Sequence, residues 1–174
     1  MRRITFFNLV AVAMLVGVIA CVVPAFGRAD KSSDPVYLNK IPSGYRDWKL
    51  ISVAHEEGNL HSLGAVLGND VAIKAYREGT LPFPDGAIIA ALHYGHVPSE
   101  ENNKVFGRAQ SFVPGPPTNI QFMVKDSKQY AATDGWGFGS FTPDGKPGNE
   151  TAMKTCAPCH AMASHDAVFT RYAP

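Results

Sequence analysis

The feature that most constrains this chain is the CAPCH motif of residues 156–160, close to the C-terminus. Its two cysteines are separated by two residues, and a histidine follows the second directly. On a helical turn, this spacing lets Cys156 and Cys159 both reach the vinyl groups on one edge of a haem, with His160 under the iron as the proximal axial ligand. The motif therefore predicts one covalently attached haem c, held without the need for a large enclosing pocket.

Three other kinds of site use closely spaced cysteines. A C-x-x-C redox pair needs no following histidine and usually opens a thioredoxin-like βαβ unit, which this sequence does not predict. A zinc site of the Cys/His type needs four ligands, and the chain has no second cysteine pair. A disulfide between Cys156 and Cys159 would leave the adjoining His160 without a role. The motif favours haem attachment over these three alternatives.

The first 29 residues are typical of an export signal. Arg2 and Arg3 precede a long apolar run, and small residues stand just before Asp30, where the sequence becomes polar. The segment holds three arginines and no acidic residue, so its removal changes the formal net charge from +1 to −2. We expect a signal peptide at 1–29 and a periplasmic haem domain at 30–174. A retained membrane anchor is the alternative, because the run approaches ~20 apolar residues.

A third cysteine, Cys21, lies inside this apolar segment. The sequence Val-Ile-Ala-Cys that ends at Cys21 is a weak lipoprotein-processing box. We expect Cys21 to be discarded with the signal, and a lipidated form is the alternative. Either outcome leaves the mature domain with two cysteines and an address outside the cytoplasm.

Composition excludes several classes of protein. A chain of 174 residues that is 45% hydrophobic is long and apolar enough for one domain with a buried core. Only 18% of residues are charged and the net charge is near zero, so nothing favours nucleic acid as a partner. Three cysteines are too few for a disulfide-dense miniprotein.

Strand-forming segments dominate the mature chain and are joined by short polar or Pro/Gly turns, which favours antiparallel neighbours. A short helix is predicted at 71–78, with Asn69 or Asp70 as its cap and Gly79 at its end, and a second at 150 to about 160. We therefore predict an α+β fold, mainly antiparallel β-sheet with a few short helices and the haem-bearing helix near the C-terminus. The predicted strands are 48–54, 87–94, 105–113, 119–124 and 136–141, with a structured turn at 81–86.

The sequence gives no compelling sixth ligand for the iron, so an open or water-occupied position is the default expectation. Met123 lies within a predicted strand, where core packing is its commoner role. His93 and His96 flank the end of another strand and are the least improbable histidine ligands. The weaker candidates are His55, His61, His165, Met153 and Met162.

Six short segments, taken in order and spacing, are shared with one known family. They are residues 44–48 (GYRDW), 83–86 (FPDG), 125–128 (KDSK), 136–141 (WGFGSF), 156–160 (CAPCH) and 167–172 (AVFTRY). With these segments the chain resembles the cytochrome P460 family and its relatives, the β-sheet cytochromes c′, over most of residues 43–172.

The resemblance implies a mostly antiparallel β fold, usually dimeric, with a five-coordinate haem c whose distal side takes small ligands. Members that oxidise hydroxylamine carry a lysine cross-linked to the haem, five residues past the glycine of the Asp-Gly turn. Counting from Gly86 places Ala91 at that position, and no lysine occurs from residue 75 to 103. The cross-link is therefore expected to be absent.

Aromatic side chains are candidates for the wall of the haem pocket. We expect Phe83, Phe138 and Phe141 to line it together with Ala91, and Phe106 and Phe122 are further candidates. An apolar wall favours neutral diatomic ligands such as NO over anions, because nothing in it offsets a charge.

Three functions remain open at this stage. The first is an exported monohaem c-type cytochrome with an open distal site that binds NO or related nitrogen oxides, with or without redox turnover of them. The second is an enzyme that oxidises hydroxylamine, which Ala91 disfavours. The third is a simple electron carrier with a hidden sixth ligand and a periplasmic redox partner.

Overall fold

The computed structural model describes residues 37–174. The predicted signal segment, with Cys21, lies outside these residues. Five strands form one antiparallel sheet in which every strand pairs with its neighbour in the chain, in the order β1-β2-β3-β4-β5. The strands are β1 Lys49–Glu56, β2 Ser62–Gly68, β3 Ile88–Pro98, β4 Phe112–Lys125 and β5 Trp136–Phe141. The helices are α1 Asp70–Glu78, α2 Glu100–Phe106, α3 Glu150–Met153 and α4 Cys156–His160, with 3-10 turns at Tyr45–Asp47 and Ala131–Thr133.

This architecture confirms the predicted α+β class, with a mainly antiparallel sheet and the motif helix near the C-terminus. None of the helices within residues 37–174 has the length and apolarity needed to cross a membrane.

The two faces of the sheet carry separate cores, because side chains alternate along each strand. On one face, Ile89 and Met123 belong to a cluster that is covered by α1 and by residues near the C-terminus. On the other face, Ala90, Leu92 and Phe122 pack with residues that precede β1. The chain thus uses both sides of its central strands, and the motif helix lies against the first face.

One side chain links the start of α1 to the start of β3. The Asn69 side-chain oxygen accepts hydrogen bonds from the backbone N–H groups of Ala72 at 3.0 Å and Ile88 at 3.1 Å. Its amide donates to the carbonyl of Gly86 at 2.8 Å. The predicted cap is therefore correct, and it also fixes where α1 lies on the sheet. Gly79 ends the helix in the left-handed conformation, as predicted.

The C-terminal residues return across the sheet and dock on α1. The Tyr76 hydroxyl donates to the carbonyl of Thr170 at 3.0 Å, and the backbone N–H of Ala173 donates to the carbonyl of Ile51 at 2.8 Å. This C-terminal stretch, residues 165–173, is called the return segment below. It closes one side of the space beside α4.

The strand predicted at 105–113 is wrong. Residues Glu100–Phe106 form α2, because the Ser99 hydroxyl accepts from the backbone N–H of Asn102 and Gly107 supplies a left-handed C-cap.

Strand β4 starts only at Phe112 and continues through the segment 114–117, which was expected to separate two strands. The register against β3 shifts there, which accommodates the prolines in the ladder.

Two further elements differ from the sequence prediction. Strand β2 was not predicted, because Gly64 and Gly68 weaken its strand signal. Gly68 is needed there, since a Cβ atom at this position would lie 2.8 Å from Cδ1 of Ile51. The predicted helix at 150–160 is two short helices, α3 and α4, with Lys154 and Thr155 between them.

Close packing of Tyr130 on β5 gives a stability prediction. A Cβ atom at Gly137 would lie 2.3 Å from Cζ of the buried Tyr130 ring, so Gly137→Ala forces that ring to move. We expect a loss of about 1–3 kcal/mol in the free energy of unfolding, measured by urea denaturation. Gly64→Ala is the matched control, since its nearest atom would be 3.7 Å away. Equal stabilities for the two variants would contradict the packing described here.

Candidate cofactor-binding cleft

An open-sided cleft lies between one face of the sheet and the C-terminal elements. Strands β2, β3, β4 and β5 form its floor, and α4 and the return segment form its opposite side. The lining residues are Val66, Ile89, Ala91, Gln121, Phe122, Met123, Phe138, Gly139, Cys156, His160, Val168, Phe169 and Thr170.

The two motif cysteines differ in exposure. Cys156 is half-buried and lines the cleft, whereas Cys159 is exposed one helical turn later. Neither is in a disulfide. Burial raises the pKa of the Cys156 thiol, and the nearby Cys159 adds to the rise against an opposing backbone hydrogen bond. Cys156 is therefore a neutral thiol at neutral pH rather than a thiolate nucleophile.

His160 is held in one tautomer by a backbone carbonyl. Its Nδ1 lies 2.8 Å from the carbonyl oxygen of Ala167, which can only accept, so Nδ1 carries the proton. The imidazole lies between the rings of Phe138 and Phe169, with both centroids at 5.1 Å. Burial lowers the pKa of His160, although the Ala167 carbonyl acts in the opposite direction. The result is a neutral ring whose Nε2 lone pair is available to a metal.

Apolar side chains from the central strands face the cleft. Ala91 pairs with Val66 on β2 and with Gln121 on β4, and all three line the cleft. Met123 lies nearby on β4 and is 7% exposed. Ala91 therefore fills little of the cleft, because its side chain is only a methyl group.

Several lining residues were missed by sequence reasoning. Val66 was missed because β2 was not predicted, and Gln121 because the register of β4 against β3 was unknown. Strand alternation alone could have found Ile89, which is two residues from Ala91 and faces the same side. Gln121 and Thr170 supply polar side chains to a lining that was expected to be apolar.

The phenylalanines expected in the pocket lie in four different places. Phe138 lines the cleft against His160. Phe83 lies outside it, in the core beneath α1, with its ring 5.0 Å from Tyr76 and 5.6 Å from Trp136. Phe141 lies on the opposite face of the sheet, because it is an odd number of residues from Phe138 and so points the other way. Its ring packs 5.8 Å from that of Phe122, and Phe106 is half-exposed on α2.

The histidines considered as sixth ligands lie outside the cleft lining. His93 Nδ1 is 3.8 Å from Oε2 of Glu56. His96 belongs to a histidine cluster with His55 and His61, whose ring centroids lie 4.3 and 4.8 Å from its own. Of the candidates, Met123 alone lines the same cleft as His160 within residues 37–174.

The residues present fit a haem c. Cys156 and His160, on the same short helix, face a cleft whose other wall is largely apolar, and Cys159 is exposed on that helix. His160 already has the second-sphere hydrogen bond that iron-bound histidines generally make, which leaves Nε2 as the donor atom. No lysine is among the lining residues.

Comparison with known families identifies a match that covers most of the described domain. The family model described as Cytochrome P460 matches residues 42–170, which is well over half of the chain. No curated protein matches the chain significantly.

The histidine cluster gives a pH prediction. Desolvation lowers the pKa of His96, the neighbouring His55 and His61 lower it further, and Glu57 acts in the opposite direction. We expect His96 to titrate below its ordinary value of 6.5 when followed by NMR. Because the unfolded chain then binds the proton more tightly, this group's contribution to stability is complete above pH 6.5 and is lost as pH falls through the folded-state pKa.

The variant His55→Gln separates the causes of this shift. It removes one like charge and leaves the desolvation in place, so the His96 midpoint should rise part of the way towards its ordinary value. A wild-type His96 that titrates at or above 6.5 would contradict the contacts in the cluster.

Proposed function

The chain belongs to the cytochrome P460 family, and from that premise we propose that it is an exported monohaem c-type cytochrome with an open distal site for NO. Family membership implies a haem cofactor. In the proposal, Cys156 and Cys159 hold the haem through thioethers and His160 binds its iron. When bound, the haem supplies an iron with an open coordination position for a small neutral ligand.

The observation that carries the proposal is the makeup of the cleft wall opposite the motif helix. Ala91, at the position that the family resemblance assigns to the cross-linking lysine, lines the cleft and has no amine. Val66, Ile89 and Met123 surround it with apolar surface. Such a wall disfavours anions, because it offers no charge to offset theirs. A neutral diatomic molecule is the ligand class that this wall favours.

Gln121 gives the wall a polar side chain on the strand next to Ala91. The two residues pair across β3 and β4, and Gln121 is exposed to solvent. A side-chain amide is neutral and can donate a hydrogen bond to a ligand oxygen or nitrogen atom. In the proposal, Gln121 orients a bound ligand at the open edge of the cleft without adding charge.

The test of the proposal is the absorption spectrum of the purified holoprotein. We expect haem to stay with the polypeptide through acid-acetone extraction and denaturing electrophoresis, and we expect the Soret band of the reduced protein to change on titration with NO. A colourless protein would contradict haem attachment, and a Soret band indifferent to NO would contradict the open distal site.

The variant His160→Gly tests the axial role directly. Removing the imidazole leaves both cysteines for attachment but removes the iron's protein ligand. We expect an altered Soret band that returns towards the wild-type position when free imidazole is added. A variant with the wild-type spectrum would show that His160 does not bind the iron. Cys156→Ala and Cys159→Ala should each leave one thioether or prevent maturation.

A second candidate function is electron transfer, which the position of Met123 favours. Its side chain lines the same cleft as His160, so a thioether is available there as a sixth ligand. This function requires a low-spin spectrum in the wild type that becomes high-spin in Met123→Leu, a substitution of similar volume. A high-spin wild-type protein would exclude it.

Hydroxylamine oxidation is disfavoured within the same proposal. Cross-linked relatives differ in the electronics of the macrocycle, and no lysine among the lining residues supplies that bond here. The wild type should therefore show an ordinary ferrous haem c spectrum and no dye-coupled turnover of hydroxylamine. A strongly red-shifted ferrous absorption would reverse this conclusion.

A location outside the cytoplasm is also part of the proposal. Residues 1–29 support export, and attachment of haem c takes place outside the cytoplasm. We propose a periplasmic protein that exchanges electrons with a periplasmic redox partner, as a monomer or a homodimer. Fractionation of cells that produce the full chain tests the location, and mass spectrometry of the purified protein tests cleavage before Asp30.

A further inference from the structure

We propose that the buried ion pair between Lys125 and Asp166 is a positioning device for the proximal histidine. It holds the carbonyl of Ala167 against Nδ1 of His160 and thereby sets how strongly that imidazole donates electrons to a metal. The inference rests on the proposed function of His160 as the axial ligand.

The ion pair is almost fully removed from solvent. Lys125 Nζ lies 2.9 and 3.0 Å from the two carboxylate oxygens of Asp166, and the two side chains are 6% and 13% exposed. The same ammonium donates to the carbonyl of Asp134 at 3.0 Å and lies 4.8 Å from the centre of the Trp136 ring. Burying two charges is costly, and apolar residues of similar volume often serve stability as well or better. Stability alone is therefore a weak explanation for this buried ion pair.

Asp166 also receives hydrogen bonds from two other parts of the fold. Its carboxylate accepts from the backbone N–H of Phe83 at 2.8 Å. Its backbone carbonyl accepts from the indole N–H of Trp136 at 2.8 Å. Asp166 is thus bound by residues of β4, of β5 and of the turn before β3.

The residues held in this way have an unfavourable backbone conformation. Asp166 and Ala167 have φ angles of +51° and +62°, and the turn closes through the backbone N–H of Val168 and the carbonyl of His165 at 3.1 Å. A left-handed conformation is unfavourable for a residue that carries a side chain. Such a conformation persists only where the surrounding contacts impose it, and it is often found beside functional sites.

The turn at residues 165–168 places Ala167 against the motif helix. Its carbonyl is the acceptor for Nδ1 of His160, at 2.8 Å. A stronger hydrogen bond at Nδ1 makes the imidazole a more basic ligand, and a more basic ligand stabilises the oxidised metal. The route from Lys125 through Asp166 and Ala167 to His160 therefore connects a buried charge pair to the electronics of the axial ligand.

The experiment compares holoproteins that carry Asp166→Asn or Lys125→Met with the wild type. Both variants remove the charge pairing, so the Ala167 carbonyl should lose its fixed position on His160. We expect a lower iron–histidine stretching frequency in the ferrous resonance Raman spectrum and a more positive midpoint potential in both variants. Lys125→Arg retains the charge and should give a smaller shift than Lys125→Met.

The matched control is an ion pair that does not contact the cleft. Lys146 and Asp144 lie 2.7 Å apart on an exposed loop, with side chains 78% and 59% exposed. Lys146→Met should leave both the stretching frequency and the potential unchanged. If Asp166→Asn does not fold, Asp166→Glu keeps the charge and moves the carboxylate by one methylene, and it should shift the stretching frequency in the same direction by less.

The outcomes separate a positioning role from a purely structural one. A folded Asp166→Asn or Asp166→Glu variant with reduced thermal stability but the wild-type frequency and potential would overturn this inference and leave the axial role intact. A wild-type protein with no iron–histidine mode, together with an unchanged spectrum for His160→Gly, would instead refute the proposed function. Shifts in the variants and none in the control would support the positioning role.

Discussion

The cleft depends on one hydrogen bond, from Nδ1 of His160 to the carbonyl of Ala167. It joins the motif helix to the return segment, two short pieces of chain that make little regular structure of their own. Helix α4 contains no fully buried residue, whereas Val168 in the return segment is buried in the core on the near face of the sheet. The sheet holds the turn at residues 165–168 in place, since Trp136 and Lys125 both donate hydrogen bonds to Asp166, the residue before Ala167. The sheet therefore contacts the histidine directly through Phe138 and also binds the turn that supplies its hydrogen-bond acceptor.

The division of the sheet into two faces explains why the cleft can stay open. On the far face, Phe122 and Phe141 pack against each other and against residues that precede β1, so that side of the sheet is closed. On the near face, α1 and Phe83 cover part of the surface, and the row that contains Ala91 and Gln121 is left for the cleft. The far face of these strands thus forms a packed core, whereas part of the near face is left open as the cleft.

Local signals in the sequence predicted much of this fold and the centre of the site. The CAPCH spacing is a local property, and it indicated Cys156, Cys159 and His160 as a group before the fold was known. The cap at Asn69 and the strand at Trp136–Phe141 are also local, and the structure confirms both. Long-range pairings were not predictable in this way. Lys125 and Asp166 are 41 residues apart, and nothing in either neighbourhood indicates the other.

The errors have related physical causes. Strand β2 contains glycines because Ile51 leaves no room for a side chain at Gly68, and such a tertiary requirement lowers the local strand signal. Residues 105 and 106 have strand-forming side chains, but the caps at Ser99 and Gly107 decide their conformation. Phe83 and Phe141 were assigned to the pocket by residue type, whereas the face of the sheet that each occupies depends on alternation and on the packing of α1.

The composition of the cleft wall bears on which groups the cleft can hold. A lysine on β3 would place a long, basic side chain in the cleft, either bonded to the cofactor or requiring a counter-charge. At Ala91 the cleft wall instead has only a methyl group, which leaves the space opposite His160 to Val66, Ile89 and Met123. The buried ammonium on this face belongs instead to Lys125, which Asp166 neutralises away from the lining. The lining of the cleft thus holds no Lys, Arg, Asp or Glu side chain, and the buried ion pair lies beside the turn whose carbonyl accepts from the histidine.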